Sequence, residues 1–217
     1  MSQEAVSHAS AIAVHNGNIA IGKHRIEDLA DGLFAIVMTL LVLELRVPDL
    51  PHHLSNAELM HELAPMWRVL FSFVLTFFLA SMFWMSQQAI LTATRTLDKF
   101  GAALHLTAMM FVAFMPFSTA MLGRYISNGF AMSLYFGNQT VVSLLLCAAW
   151  LRERHNRNVG ELPAEVEKKI TLKTISMTAI LGSAAVTAYF NPQYAFFGAL
   201  PAIVISRILR RRMDAAR

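Results

Sequence analysis

The sequence predicts an all-α integral membrane protein with six transmembrane helices in one domain. Of the 217 residues, 56% are hydrophobic and only 15% are charged, whereas soluble domains usually carry about 25% charged residues. The apolar residues fall into runs close to the roughly 20 residues that a helix needs to cross a bilayer. Cys147 is the only cysteine, so an internal disulfide is excluded and a thiolate metal cluster is not expected.

Prolines and charged residues divide the chain into six candidate spans. Pro48 closes the first span, and Pro65 opens the second in a first-turn position that helices tolerate. Pro116 lies inside the third span and predicts a kink there. The turn signal Asn191-Pro192 separates the fifth span from the sixth, so we expect these two to form a tight hairpin. The spans cover residues 26–47, 66–91, 100–122, 130–151, 170–190 and 193–209.

The distribution of basic residues gives the predicted orientation. Of the 18 Lys and Arg residues, only Arg46, Arg68 and Arg124 fall on one side of the six-span arrangement, and the other 15 fall on the opposite side. Cytoplasmic loops carry such an excess of Lys and Arg, so both termini are predicted to be cytoplasmic. The net charge of +4 then needs no nucleic acid partner, because an Arg-rich tail beside a membrane usually lies against anionic headgroups.

The first span is unusual because it carries acidic residues. Asp28 and Asp31 lie near its cytoplasmic end and Glu44 near its outer end, and a carboxylate that faces lipid costs several kcal/mol. Such side chains are tolerated where they face the bundle interior, a water-filled path or a cation. Arg25 is a candidate cation, because it shares a helix face with Asp28. The alternative is that the acidic residues lie at the headgroup level and contact water there.

An aliphatic stripe runs along the middle of the first span. Ile36, Leu40 and Leu43 are spaced by four and three residues, which places them on one helix face. Thr39 lies beside this stripe. An aliphatic stripe is usually core packing, and a Thr hydroxyl inside a span usually bonds to a carbonyl of its own helix.

The segment that contains this stripe resembles a known family. Residues 25–45 read RIEDLADGLFAIVMTLLVLEL, and they resemble the first helix of the transmembrane protein 175 family of potassium channels in its short prokaryotic form. The stretch MPFSTAMLGRY at residues 115–125 is similar to the end of the family's third helix. The residues that match in order and spacing are Arg25, Asp31, Gly32, Phe34, Ala35, Ile36, Thr39, Leu40, Leu41, Val42, Leu43 and Glu44.

The resemblance implies a homotetramer in which four first helices surround a central pore. By position, Ile36 forms the constriction, Thr39 supplies a layer of hydroxyl groups, and Leu40 and Leu43 form further hydrophobic rings. Such a throat passes potassium more easily than sodium, because potassium holds its water less tightly, and we expect the selectivity to be modest. The sequence has no TVGYG segment, so the usual potassium-channel filter of backbone carbonyls is excluded.

The resemblance also assigns roles to polar residues outside the constriction. Glu44 forms an acidic ring at the outer mouth of the pore and Asp31 an inner one. Asp31 also belongs to a structural network with Arg25, Trp84 and His105. His105 lies within the third span, where it either bonds Asp31 or Asp28 of the first helix, or is a core histidine without a regulatory role.

Two departures from the family pattern affect this network. Leu29-Ala30 stand where the family has a Phe-Ser pair, so the serine hydroxyl is absent from the surroundings of the Arg and Asp side chains. Gln87-Gln88 stand where relatives often have a His-His pair in the second helix, so two imidazoles are absent. Gln87 and Gln88 are expected near the cytoplasmic headgroups.

The predicted organisation is a multi-pass protein of a cell inner membrane. Residues 1–22 form a mobile cytoplasmic tail, residues 23–212 form the six-helix transmembrane channel domain, and residues 213–217 form a cytoplasmic C-terminal tail. The expected partners are further copies of the chain and the lipid bilayer, with no nucleic acid. No cofactor is expected besides the permeant potassium ion.

Two other classes of function stay open. One is a proton- or ion-coupled secondary transporter that uses Asp31, although the internal repeats and broken helices typical of transporters are not visible in the sequence. The other is a structural membrane protein that does not conduct. An enzyme is not predicted, and no metal site is expected, because the His and Glu residues between the first two spans lack the H-E-x-x-H spacing.

Overall fold

The computed structural model describes residues 22–50 and 53–198, together with the backbone of residues 14–15 and 18–19. Within these residues the regular structure is helical, apart from a short antiparallel pairing of β1 (Val14–His15) with β2 (Asn18–Ile19) and an isolated bridge between Thr94 and Val159. The all-α prediction is therefore confirmed for the part that is described. Most of the predicted N-terminal tail, 1–22, and all of the C-terminal tail, 213–217, lie outside the described residues.

The first helix, α1 (Lys23–Leu40), continues into a 3-10 turn at Leu41–Glu44. Leu45 leaves the helical conformation, with φ −81° and ψ 65°, ahead of Pro48. The helical segment therefore lies three residues earlier in the chain than the predicted span 26–47. A proline restricts the backbone of the residue before it as well, so a helix commonly ends upstream of the proline.

The second span is preceded by a short helix that the sequence analysis had treated as loop. Helix α2 (Asn56–Leu63) begins at Ser55, whose hydroxyl accepts from the Glu58 N–H at 3.3 Å while the Glu58 carboxylate accepts from the Ser55 N–H at 2.8 Å. This reciprocal capping satisfies backbone groups that a helix start leaves unpaired. A 3-10 turn at Ala64–Met66 joins α2 to the long apolar helix α3 (Trp67–Ala93).

The third span is divided into α4 (Lys99–Ala113) and α5 (Met115–Arg124), with one residue between them. Pro116 falls in the first turn of α5, where its missing N–H costs least. The hydroxyls of Ser118 and Thr119 both donate to the carbonyl of the first residue of α5, at 3.0 and 2.7 Å. The predicted interruption at Pro116 is therefore present, and neighbouring hydroxyls bond to the backbone beside it.

The fourth and fifth spans form a helical pair. Helix α6 (Gly129–His155) packs against α7 (Ala164–Phe190) over a larger contact than any other two described helices share. A 3-10 turn at Pro192–Tyr194 leads directly into α8 (Ala195–Gly198), where the described residues end. The predicted sixth span starts at this point, and most of it lies outside the described residues.

The helices meet in an apolar core that contains isolated polar contacts. The Tyr135 hydroxyl on α6 lies 3.0 Å from Thr76 Oγ1 on α3, and Thr119 Oγ1 on α5 lies 2.9 Å from the same atom. The fully buried Trp150 donates from Nε1 to Thr171 Oγ1 on α7 at 2.7 Å. Buried polar groups cost free energy unless they are hydrogen-bonded, so these contacts fix how the helices face one another.

Four helical segments of the described chain are long and apolar enough to cross a membrane. They are Asn56–Ala93, Lys99–Arg124, Gly129–His155 and Ala164–Phe190. They correspond to the second to fifth predicted spans. The first predicted span is not among them because α1 carries five charged residues between Lys23 and Asp31, and the described part of the sixth is too short.

Candidate pore-lining face of the first helix

Helix α1 has one face that packs inside the subunit. The residues of this face recur every three or four positions, and their side chains contact α3 and α4. No other described helix packs on the opposite side of α1, so that side is left uncovered along the whole helix. The buried residues are Ile26, Ala30, Phe34, Val37 and Leu41, each less than 5% exposed.

The four residues that the family resemblance assigns to a constriction lie on the uncovered face. Ile36, Leu40 and Leu43 are 58%, 42% and 61% exposed, and Thr39 is exposed beside them. At a rise of about 1.5 Å per residue, the stripe from Ile36 to Leu43 is about 10 Å long. The single chain therefore presents a continuous aliphatic surface with one hydroxyl group in its middle.

The Thr39 hydroxyl bonds to its own helix. Its oxygen lies 2.7 Å from the carbonyl oxygen of Ile36 and 3.1 Å from that of Ala35. The single hydroxyl hydrogen is thus directed to the backbone, and the oxygen lone pairs remain available on the uncovered side. This geometry allows the Thr39 oxygen to accept from water or to face a cation.

Asp31 joins α1 to α3. Trp84 Nε1 donates to Asp31 Oδ1 at 2.7 Å, and Gln88 Nε2 donates to the same oxygen. The structure therefore brings together Asp31 and Trp84, as the resemblance implies, and adds Gln88, which the sequence analysis had placed among the headgroups. A signal for Gln88 was present in its spacing, because it lies four residues after Trp84 and so shares a face of α3 with it.

We had expected Arg25 to pair with Asp28, but the two side chains do not form an ion pair. Within the described part of the chain the Arg25 side chain makes no ion pair, and it is exposed. His24 Nδ1 lies 3.0 Å from Asp28 Oδ1 instead, because the i, i+4 spacing places these two side chains above one another. Lys23 bonds to a residue outside α1, because its Nζ donates to the carbonyl oxygen of Thr94 at 2.9 Å.

His105 does not bond to a carboxylate of the first helix either. It is fully buried, and neither ring nitrogen has a hydrogen-bond partner among the described residues. It lies on the buried face of α4, three residues from both Ala102 and Ala108, and both alanines are packed in the apolar core. The expected link between His105 and Asp31 is therefore absent, and Trp84 and Gln88 of α3 bond to Asp31 instead.

Glu44, at the outer end of α1, is close to a basic side chain. Its Oε2 lies 3.7 Å from Nη2 of Arg124, the last residue of α5, and the Glu44 side chain is partly buried. The sequence analysis had given Glu44 no partner. Arg124 is one of three basic residues on the predicted outer side of the membrane, so the few cations there were the signal for this pair.

The fold and the first helix together define a class of protein. Four long apolar helical segments pack around a first helix whose uncovered face combines carboxylates, a hydroxyl and aliphatic side chains, which is the architecture of a polytopic helical membrane protein. Among the described residues, no group of three or more His, Cys, Asp or Glu side chains could hold a metal ion.

Part of the chain matches the model of a known family. Residues 25–116 match the family described as the endosomal/lysosomal potassium channel TMEM175. This match confirms the resemblance of the first helix to that family, and it extends the resemblance through α3 and α4.

Two curated relatives are named as potassium channels and neither as an enzyme. The relative from Streptomyces collinus is 28% identical over 130 residues, which is 58% of this chain and 62% of the relative. The relative from Chamaesiphon minutus is 30% identical over 130 residues, which is 58% of this chain and 63% of the relative. The match thus spans less than two thirds of the length of either relative.

Two solved structures share the fold. A homologue of the lysosomal potassium-selective channel TMEM175 from Chamaesiphon minutus superposes with a TM-score of 0.70 at 25% identity, covering 85% of this chain and 97% of its own. A crystallised variant of the potassium channel MtTMEM175 superposes with a TM-score of 0.63 at 14% identity, covering 94% of this chain. The second likeness concerns the fold alone.

Proposed function

We propose that the chain is one subunit of a homotetrameric potassium channel in which four copies of α1 line a central pore. The observation that carries this proposal is the uncovered face of α1, which holds Ile36, Thr39, Leu40 and Leu43. The names of the relatives as potassium channels, and the fold shared with a potassium-selective channel, support it.

The uncovered face of α1 is poorly suited to lipid. Asp28 lies two helical turns before Ile36 on the same face, and Asp31 and Thr39 are exposed next to it. Charged side chains in a span are expensive against lipid and are tolerated beside a water-filled cavity. A central pore between several copies of α1 contains that water. The neighbouring copies of α1 also cover the aliphatic stripe.

The aliphatic stripe gives the proposed pore its constriction. Four side chains at the level of Ile36, followed by those of Leu40 and Leu43, form a narrow apolar throat that closes by loss of water. An ion crosses such a throat at a free-energy cost that rises with the strength of its hydration. Potassium is hydrated less strongly than sodium, so the channel favours potassium, and the discrimination stays modest because no ring of carbonyl oxygens replaces the lost water.

The acidic residues at the two mouths of the proposed pore have different surroundings. At the outer mouth, the Glu44 charge is opposed by Arg124 at 3.7 Å. At the inner mouth, Asp31 accepts from the neutral donors Trp84 and Gln88, and among the described residues it forms no ion pair with a basic side chain. A ring of four Asp31 carboxylates raises the local cation concentration, so the inner mouth attracts potassium more strongly than the outer mouth does.

The proposed subunit has six transmembrane helices and cytoplasmic termini in a cell inner membrane. The six transmembrane helices are α1, the four long apolar segments, and the segment that begins at α8. The excess of Lys and Arg on the side of both termini supports this orientation. The channel acts on the potassium ion and uses no cofactor, and its partners are its own copies and lipid.

Recording from the purified protein in a planar bilayer, with potassium on one side and sodium on the other, tests this function. We expect unitary currents that reverse toward the potassium potential. Leu40→Ala should raise the conductance and Ile36→Asn should weaken the discrimination between the two ions. Leu106→Ala on α4 is the matched control, because Leu106 is 40% exposed and Leu40 is 42% exposed, yet α4 does not line the proposed pore.

Other outcomes would point to other classes of protein. Slow, saturable flux without unitary currents, abolished by Asp31→Asn, would indicate a transporter. No flux from folded, inserted protein would indicate a structural role. A Leu43→Cys variant in a Cys147→Ala background tests the assembly separately, because four cysteines around one axis should give oxidation products that run as dimers, and a fully monomeric product would contradict the pore.

A further inference from the structure

A second candidate site lies away from the uncovered face of α1, in a groove of about 450 Å³ between two loops. One wall is the loop from α3 to α4, and the other is the end of α6 with the loop that follows it. The groove lies at the same end of the bundle as the start of α1, because Lys23 Nζ donates to the carbonyl oxygen of Thr94 in the first loop. This is the end that the proposed orientation assigns to the cytoplasm.

The two walls of the groove are bonded to each other. Backbone hydrogen bonds of 2.9 Å run from Arg95 N to Asn158 O and from Gly160 N to Ala93 O. The Asn158 side chain donates to the carbonyl oxygen of Thr96 at 2.6 Å and accepts from the Thr96 hydroxyl at 3.0 Å. Each of the two walls therefore both donates hydrogen bonds to the other and accepts them from it. This bonding makes the groove a fixed feature of the fold.

The acidic residues of the groove are already hydrogen-bonded. Arg152 donates to Asp98 Oδ2 at 2.5 Å and to Glu153 Oε1 at 2.8 Å, and Asn158 donates to the other Glu153 oxygen at 2.5 Å. Arg152 is also held over the ring of Phe100, 5.1 Å from its centroid. The two carboxylates thus act on Arg152, and they leave the other guanidinium groups of the groove without an anion.

Arg95 and Arg157 are those other guanidinium groups. Both line the groove, both are exposed, and within the described residues neither makes an ion pair. Their side chains come from neighbouring positions on the two bonded walls, since Arg95 N bonds to the carbonyl of Asn158, the residue after Arg157. Two arginines at one groove can present several N–H donors to a single tetrahedral anion.

The backbone of Arg157 adds an independent observation. Arg157 has φ 53°, and it is the only non-glycine residue with positive φ in the described chain. It follows the last turn of α6, where Asn158 N donates to Glu153 O and Arg157 N donates to Arg154 O. Helices that end this way usually have glycine at this position, so the arginine adopts this backbone conformation at a local conformational cost.

We propose that this groove binds a phosphate group through Arg95 and Arg157, while Asp98 and Glu153 stay bonded to Arg152. The position of the groove at the end of the apolar helices fits the phosphate of an anionic lipid headgroup, and a free phosphate presents the same chemistry. The proposal does not depend on the pore, because no residue of the uncovered face of α1 takes part. The bond from Lys23 to Thr94, one residue before Arg95, connects the site to the start of α1.

The test is the thermal stability of the detergent-purified protein as a function of added ligand, since a ligand of the folded state raises the unfolding temperature. Short-chain phosphatidic acid and inorganic phosphate are titrated separately. Short-chain phosphatidylcholine and sodium chloride at equal ionic strength are the ligand controls. Stabilisation by both phosphates indicates the shared chemistry, by phosphatidic acid alone a headgroup site, and by inorganic phosphate alone a site for a soluble anion.

The variants separate this site from general charge effects. Arg95→Gln/Arg157→Gln should weaken the binding at least about tenfold, whereas Lys168→Gln/Lys169→Gln, which removes two exposed charges outside the groove, should leave it unchanged. Arg157→Gly suits the left-handed backbone, so it should keep or raise the stability of the free protein and still weaken binding. Equal stabilisation by chloride, no stabilisation of the wild type, or the same affinity in all variants would overturn the proposal.

Discussion

A hydrogen bond of 2.7 Å between Trp84 Nε1 and Asp31 Oδ1 connects α3 to α1. A double-mutant cycle with Asp31→Ala and Trp84→Phe measures the free energy that this contact contributes. The Phe variant retains an aromatic ring, smaller than the indole, and removes the N–H donor. The Ala variant removes the carboxylate acceptor, and the double variant removes both groups.

The expected coupling follows from the geometry. A hydrogen bond to a charged acceptor contributes about 1.5–3 kcal/mol when it is buried. Trp84 is 38% exposed and Asp31 is exposed, so water weakens the interaction, and we expect a coupling free energy of about 1 kcal/mol. For a chain of this length, 1 kcal/mol corresponds to a change of about 2–4 °C in the unfolding temperature.

The assay can use the single cysteine of the chain. Cys147 is buried, at 6% exposed, so a dye that becomes fluorescent on reaction with a thiol reports its exposure as the protein unfolds. The four members of the cycle are compared in the same detergent. Trp67→Phe is the control substitution, because Trp67 lies at the opposite end of α3 and no side-chain hydrogen bond of its indole is found in the described residues.

The result that would refute this reasoning is additivity. If the effects of Asp31→Ala and Trp84→Phe sum to that of the double variant within about 0.3 kcal/mol, the two groups do not interact in the assembled protein. The same conclusion follows if Trp67→Phe couples to Asp31→Ala as strongly as Trp84→Phe does.

Three further predictions concern other parts of the bundle. Tyr135→Phe should lower the free energy of unfolding by about 1 kcal/mol, because it removes the buried hydroxyl that lies 3.0 Å from Thr76 Oγ1, and chemical denaturation checks this against wild type. Gly123→Ala should destabilise the protein by about 1–3 kcal/mol, because the new Cβ would lie 2.8 Å from a serine hydroxyl and 3.2 Å from the Val69 backbone; an unchanged unfolding temperature would show that α5 can move away from α3. Partial burial opposes ionisation of Asp98, but the Gly101 N–H and the Arg152 guanidinium outweigh it and lower the pKa of Asp98 below the ordinary 3.8. The stabilisation from this carboxylate is therefore complete above pH 3.8 and is lost as the pH falls through the lower folded pKa, so the loss of stability on acidification should be smaller in Asp98→Asn than in wild type.

Local sequence patterns predicted the features that depend on a single helix. The i, i+3 and i, i+4 spacing of Ile36, Leu40 and Leu43 placed them on one face, and the structure leaves that face uncovered. Pro116 predicted a kink in the third span, and the structure has a one-residue break between α4 and α5 there. The shared face and the interruption follow from the geometry of one helix. The exposure of that face does not, because an aliphatic stripe is usually core packing and only the positions of the neighbouring helices leave it uncovered.

Contacts between helices were not predictable in the same way. Gln88 reaches Asp31 only because α1 and α3 pack in a particular register, and no pattern within α3 fixes that register. For His105 the sequence suggested a contact that the structure lacks. A polar residue in a span suggested a hydrogen-bond partner, but α4 packs with this residue on its buried face, close in sequence to core alanines. Glu44 and Arg124 are 80 residues apart in the chain and meet only in the folded protein.

Short capped segments were also missed. Helix α2 has only eight residues and none of them is buried, so its apolar pattern is too weak to distinguish it from loop. The signal that identifies it is the reciprocal bonding of Ser55 and Glu58, which appears in the sequence as a serine followed three residues later by glutamate.

The attachments of α1 to its neighbours have a mechanical consequence. The helix is bonded through Lys23 to Thr94 at its start, through Asp31 to α3 one third of the way along, and through Glu44 to Arg124 after its last turn. These points lie at both ends and between them, so α1 cannot swing or rotate alone without breaking several of them. In the proposed channel, a change in the spacing between the first helices of adjacent copies would therefore have to move each α1 together with the rest of its own chain.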